Sequence, residues 1–313
     1  MKDFKDLRIV FMGTPAFAVA SLDALLKAGC HIVGVVTAPD KQAGRGLQLQ
    51  QSDVKKYAIS NNLLTLQPEK LKAPEFLTDL KKLHADLQIV VAFRMLPEVV
   101  WNMPPMGSVN LHGSLLPQYR GAAPINWAVI HGEKETGVTT FKLQHEIDTG
   151  NILLQQPITI TDDDNAGTVH DKMKEIGANL LVKTIQGLAD ESLKEQPQAV
   201  VDYHTLPTLK HAPKIFTETC AIDFTKSTVE VHHLIRGLSP FPGAFTTFQQ
   251  KKCKIFKSSY TICTPTIAIG NFETDGKTYL KFACADGYLH VLEWQIEGKK
   301  RMTIQEFLRG FRQ

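Results

Sequence analysis

The run Ser108 to Pro124, SVNLHGSLLPQYRGAAP, sets an amide at Asn110 and an imidazole at His112, two residues apart. In an extended backbone alternate side chains point to one side, so Asn110, His112 and Ser114 are expected on a common face at the end of a strand. Strand ends are where open α/β sheets bind their ligands. An amide N–H and a ring N–H can both stabilise an oxyanion, and a carboxylate near the imidazole can orient it and help move a proton. A later run, Glu146 to Gly150 (EIDTG), is the second informative stretch. By itself an Asn-x-His pair favours a satisfied structural histidine over a site. The ordered combination with EIDTG carries the information.

Other chemistries fit the residues poorly. GTPAFA after the first apolar run lacks the later glycines of GxGxxG, which disfavours a dinucleotide dehydrogenase. His112-Gly-Ser114 is not GxSxG, so a serine hydrolase is disfavoured. His232 and His233 are neighbours on an expected helix and point apart, so they make no metal pair. Cys30, Cys220, Cys253, Cys263 and Cys284 contain no CxxC and read as core-filling thiols. The acidic run Asp162 to Asp164 reads as a solvated loop before a helix.

Something must hold these residues in place. Arg8 to Met12 is a short apolar run ending at Gly13, after which Thr14 is expected to cap a helix beginning at Pro15 and stopping at Gly29. Ile32 to Val36 and Leu87 to Phe93 read as further parallel strands, the latter apolar enough to be covered on both faces. A helix at about 124–131, strands at about 138–143 and 152–160, and a long helix at about 168–188 follow. This alternation predicts a Rossmann-like, doubly wound α/β domain over residues 1–188. Residues 189–213, with Pro197, Pro207 and Pro213, show no period and read as a linker. Over 214–313 the pattern becomes short strands, AIDF, AFTTF, CKIFK and YLKFACADGYLHVLEWQI with an Asp286-Gly287 turn, plus helical pieces at 228–238 and 304–308. An OB-like β-barrel is the architecture expected there.

The chain's 313 residues suit two domains at ~100 to 200 residues each, and its 43% hydrophobic content lets each bury a core. The opening MKDFKDLRIVFMG resembles neither a signal peptide nor an anchor, which predicts a soluble, cytoplasmic protein away from membranes. Residues 1–205 carry 20 Lys+Arg against 23 Asp+Glu, whereas 206–313 carry 15 against 9. A basic half on a mildly acidic one is compatible with one part handling a small molecule and the other a polyanion, or with charge that only aids solubility.

NLHGSLLPxYRGAxP followed by DTG resembles the folate-dependent formyltransferases. The resemblance implies catalytic roles for Asn110, His112 and Asp148. It sets Ser114, Leu115, Leu116 and Pro117 against 10-formyltetrahydrofolate as formyl donor, and it implies no metal. An amine would attack the formyl carbon, Asn110 and His112 would stabilise the oxyanion, and the folate nitrogen would leave protonated.

The same catalytic module serves several amines, so the acceptor must come from other segments. Ala38 to Lys56, APDKQAGRGLQLQQSDVKK, resembles the loop that formyltransferases of methionyl initiator tRNA direct at the acceptor stem. Lys41 and Arg45 match its basic positions, whereas Leu47, Gln48 and Leu49 depart from a stretch that often holds further lysines. Ile235 to Ala244, IRGLSPFPGA, resembles the same branch, with Pro240 and Pro242 expected to fix a bend. Charged initiator tRNA is thus the implied partner, and a monomer the implied state. Among the basic residues, Lys252 and Lys254 are expected on the tRNA side of a strand, with Lys251 and Lys257 sharing the other side. A formyltransferase for another amine, or a non-catalytic RNA-binding homologue, are the alternatives.

Overall fold

The computed structural model describes residues 3–43, 48–198 and 208–310. Seven strands form one sheet: β1 (Arg8–Gly13), β2 (His31–Val36), β3 (Thr65–Leu66), β4 (Leu87–Val91), β5 (Ser108–His112), β6 (Glu135–Lys142) and β7 (Ile152–Thr159), in the order β7-β6-β5-β4-β1-β2-β3. Neighbours from β3 through β5 are parallel, and β6 is antiparallel to β5. The order reverses between β1 and β4, which places a switch point of the kind that binds ligands at the carboxyl ends of these strands. Every residue of β4 is buried, as its continuous apolar character requires.

Helices α1 (Ala16–Lys27), α2 (Asp53–Ser60), α3 (Pro74–Lys82), α4 (Glu98–Trp101), α5 (Pro124–Ile130) and α6 (Ala166–Ala189) intervene or follow. Pro15, not Thr14, holds the cap position of α1, with no side-chain cap bond, so the expected start is off by one residue. Gly13 is demanded by packing: a Cβ there would stand 2.7 Å from the Ala18 Cβ and 2.9 Å from the Phe11 ring. The polar stretch after β2 is not a plain loop. Lys41–Ala43 pairs antiparallel with Gln48–Gln50, and Lys41, opposite Gln50, is exposed. Its base is tied down: Thr37 Oγ1 lies 2.7 Å from Ser52 Oγ, Ser52 caps α2 by accepting from Lys55 N–H, and Lys55 Nζ pairs with Asp40 at 2.6 Å. Arg45 lies outside the described residues.

The chain divides into two compact units, one of residues 1–121, 137–158 and 171–210, the other of 122–136, 159–170 and 211–313. The second thus takes up two pieces that a boundary at residue 188 assigns to the first domain. Hydrogen bonds explain why. Asn126 donates to the Gly237 carbonyl at 2.7 Å, and buried Arg236 donates to the carbonyls of Asp164 and Thr161 at 2.7 and 2.6 Å. Arg236 is therefore committed to main-chain oxygens.

In the second unit α7 (Thr228–Leu238) starts at a capping box, with Ser227 and Glu230 each bonding the other's backbone N–H. An antiparallel, curled barrel-like sheet follows: β8 (Ala244–Phe248), β9 (Lys251–Ile262), β10 (Phe272–Thr274), β11 (Leu280–Cys284) and β12 (Gly287–Ile296), ordered β8-β9-β12-β11-β10, with β13 (Met302–Thr303) on β12 and α8 (Ile304–Leu308) after it. Fully buried Trp294, with Phe248 and Phe307 edge-on at 5.1 and 4.6 Å, centres this core. AIDF is not a strand: only Ala221 bridges, to Phe245. The β11–β12 turn is Ala285-Asp286, since Gly287 already pairs with Cys284. Bulges between Ile255, Lys257 and Ser258 break the alternation of β9, so buried positions run Cys253, Ile255, Phe256, Ser258 and Lys257 does not share a side with Lys251. Four cysteines are buried, with Cys30, Cys253 and Cys284 pushed up to about 11 by burial, whereas Cys263 is exposed.

Candidate active site

β5 carries Asn110 and His112, held between β4 and β6 with Val90 opposite Asn110 and Thr139 opposite His112. Asn110 is the one half-buried residue of that strand, and its side-chain amide has no hydrogen-bond partner among the described residues. A donor left unpaired at a ligand-binding strand end is poised for something that arrives later. The strand ends at His112, so Ser114 does not continue the common face. Its hydroxyl instead donates to the Gln118 carbonyl at 2.6 Å within the loop.

His112 is 8% exposed and its ring edge faces Phe141. Nε2 lies 2.9 Å from the Tyr119 carbonyl oxygen. A carbonyl only accepts, so this nitrogen carries a hydrogen, and Nδ1 is left facing the Asp148 carboxylate 3.8 Å away. That separation is too long for a hydrogen bond and short enough for an ion pair. Asn110 thus offers an unpaired amide donor, and His112 Nδ1, facing Asp148, is placed to handle a proton. Tyr119 presents its carbonyl from a left-handed conformation, φ 60°, which a bulky residue adopts only under constraint from its surroundings.

EIDTG and the YRG run meet at one oxygen. Asp148 Oδ2 accepts from the Gly121 N–H at 2.9 Å, and Gly121 reaches this position at φ 124°, a region that requires glycine. Asp148 is itself left-handed, φ 54°. Gly150 packs so closely that a Cβ would fall 1.7 Å from the Lys142 carbonyl oxygen. Thr149 donates to the Glu146 carbonyl at 3.1 Å. Each residue of the DTG triplet thus has its own structural reason.

The segment 114–117 is sewn to β6 and β7. Thr139 Oγ1 donates to Ser114 O at 2.6 Å and accepts from the Leu116 N–H at 3.1 Å, while Gln155 Nε2 donates to Leu116 O at 2.9 Å. Ser114 and Leu116 are buried, and Leu115 and Pro117 are half-buried. Sequence reasoning missed Gln198, Thr139 and Gln155. Gln198 lies in the stretch read as linker, yet it is buried; its Oε1 accepts from Arg120 Nε and Nη2 at 3.1 and 2.5 Å, and its amide donates to the carbonyls of Asp148 and Gly150. No periodicity or motif marks it. Met95 and Ile147 are apolar side chains 73% and 59% exposed, Ile147 preceding Asp148 and Met95 following β4 in the chain. Among the described residues no group of three or more His, Cys, Asp or Glu could hold a metal ion, and no helix is long and apolar enough to cross a membrane.

Residues 7–185 match the family described as formyl transferase, and residues 214–312 match the formyl transferase C-terminal domain. The chain is 52% identical over 98% of its length to a methionyl-tRNA formyltransferase of Bacteroides thetaiotaomicron, covering 97% of that protein. It is 46% identical over 97% of its length to one of Flavobacterium johnsoniae, covering 96% of it. Its fold is similar to that of WlaRD, a sugar 3N-formyl transferase crystallised with dTDP and 5-N-formyl-THF: TM-score 0.65 at 21% identity, over 94% of this chain and 99% of that one.

Proposed function

The chain belongs to the formyl transferase family, and from that footing we propose that it moves a formyl group from 10-formyltetrahydrofolate to the free amino group of methionyl initiator tRNA. The acceptor rests on the methionyl-tRNA formyltransferases it resembles over nearly its whole length. The observation that carries the chemistry is the unpaired Asn110 amide beside the edge shared by His112 and Asp148.

The folate fits the chain's own residues: an unpaired amide donor, a rigid loop at 114–117, and exposed Met95 and Ile147 for an apolar face. The donor supplies an activated formyl carbon and a nitrogen able to leave. Asn110 donates an N–H to the formyl oxygen as it gains negative charge, a stabilisation preset by the strand. Forming the new C–N bond releases a proton from the acceptor amine, and the departing nitrogen must gain one. His112 Nδ1 holds and passes that proton, while Tyr119 and Asp148 fix the ring from both sides. Leu115 and Pro117 lie against the folate, and Ser114 and Leu116 act by holding the loop's shape.

Lys41 and Arg45 are read as contacts to the tRNA acceptor end, and Lys252 and Lys254 as contacts from the second unit. The protein acts as a monomer in the cytoplasm, with formyl transfer in the first unit and tRNA binding in the second. The test is a mass-shift assay for formyl-methionine on charged initiator tRNA. No product under conditions where the folded protein binds folate would refute the acceptor.

A further inference from the structure

The second unit holds a cavity of about 360 Å³ whose lining comes wholly from that unit and which formyl transfer does not explain. Two rings stand out in it, Phe241 at 80% exposure and Phe216 at 58%. An exposed Phe lowers solubility and adds nothing to a core, so two beside one cavity point to an occupant. Three lysines share the lining. Lys252 Nζ lies 3.6 Å from the Phe245 ring centroid, Lys254 Nζ donates to the Pro242 carbonyl at 2.7 Å, and Lys214 Nζ lies 5.6 Å from the Phe216 centroid. No carboxylate lines this cavity. A second cavity of the same unit, about 470 Å³, mixes Asp162, Asp163 and Glu293 with Arg236, Lys257 and Arg301 and so offers an anion no net positive lining.

Rings with ammonium groups and no opposing charge match one class of ligand, a base with its phosphates. We propose that this cavity seats an unpaired nucleotide of the tRNA substrate, its base stacked on Phe241 or Phe216 and its phosphates met by Lys214 and Lys252. This rests on the tRNA reading above and adds to it a stacking site. Phe241 is preset for that task. Pro240 and Pro242 lock the φ angles on both sides of it, so the backbone that carries the ring loses little freedom on binding. Gly243 follows at φ 89°, where a Cβ would come within 3.1 Å of Lys254 Cδ.

The experiment compares full-length wild type with Phe241→Ala, Phe216→Ala and Phe241→Trp, by chemical protection of unpaired bases in charged initiator tRNA and by formylation kinetics. Wild type should protect at least one unpaired base. An alanine variant should lose that protection and raise KM for tRNA by roughly 5- to 150-fold, the range for one stacked base, with KM for the folate unchanged. Phe241→Trp should restore both readouts, which a merely structural defect would not allow. Wild-type protection and KM in both alanine variants would overturn the stacking site and leave the tRNA reading standing. A wild type that neither binds nor formylates the tRNA would overturn both.

Discussion

Gln198 grips the backbone on which Asp148 sits: one amide hydrogen meets the Asp148 carbonyl at 2.9 Å and the other the Gly150 carbonyl at 2.8 Å. One side chain thereby fixes the left-handed turn from which the carboxylate faces His112, and ties it to Arg120. Gln198 is a positioning residue. Gln198→Ala should lower kcat by about 10- to 100-fold, the scale of a misplacement near 1 Å, and leave KM for both substrates within about threefold. Steady-state kinetics check it, and an unchanged kcat in folded protein would show that the turn holds itself.

The basic face of the second unit makes a separate claim. Lys252 and Lys254 line one cavity, whereas Lys257 lines the cavity that holds Asp162, Asp163 and Glu293. Neutralising Lys252 and Lys254 together should reduce the slope of log affinity for tRNA against log salt by ~0.7 to 0.9 for each of the two that meets a phosphate. Neutralising Lys251 with Lys257 should change it far less. Equal slopes for both pairs in a salt titration would make these charges a solubility feature.

Arg45 supplies a third test, carried by the sequence resemblance. Arg45→Ala should raise KM for charged tRNA or lower turnover on it and leave folate affinity by calorimetry unchanged, since its segment follows β2 in the chain whereas the 114–117 loop follows β5. Equal loss of folate affinity would count against it.

Acid should weaken the second unit. Burial beside Arg236 and His233, with Asp162 opposing, pushes His232 down to about 4, and its Nδ1 lies 2.9 Å from Ser258 Oγ. With the folded value below the unfolded ~6.5, the unfolded chain binds the proton more readily. Stability from the neutral ring is therefore full above pH 6.5 and is lost as pH falls toward 4. His233, also lowered by burial, adds in the same direction. His232→Gln should flatten this fall by on the order of 2 kcal/mol, discounted for partial exposure, as read from melting temperature against pH. Parallel curves for variant and wild type would contradict it.

Much of this was legible in the sequence, for physical reasons. Apolar runs such as Leu87 to Val91 have one stable fate in a covered parallel sheet, and S-x-x-E at Ser227 declares a helix start. Asn110, His112 and Asp148 were singled out by their place in a motif resembling the formyltransferases, and the fold sets His112 Nδ1 3.8 Å from Asp148. What could not be read was long-range hydrogen bonding. Gln198 reaches Arg120 across 78 residues, Arg236 draws 159–170 into the second unit, and the bulges in β9 reverse a lysine's side without any glycine or proline to mark them.

Asn110 is proposed as the oxyanion donor, and His112 with Asp148 as the pair that handles the proton. The most direct measurement is formylation of charged initiator tRNA by Asn110→Ala, His112→Ala and Asp148→Asn, with melting curves to establish that each is folded. Each variant should lose roughly two to four decades in kcat with the melting temperature little changed. Near-wild-type kcat in folded Asn110→Ala or His112→Ala would contradict it.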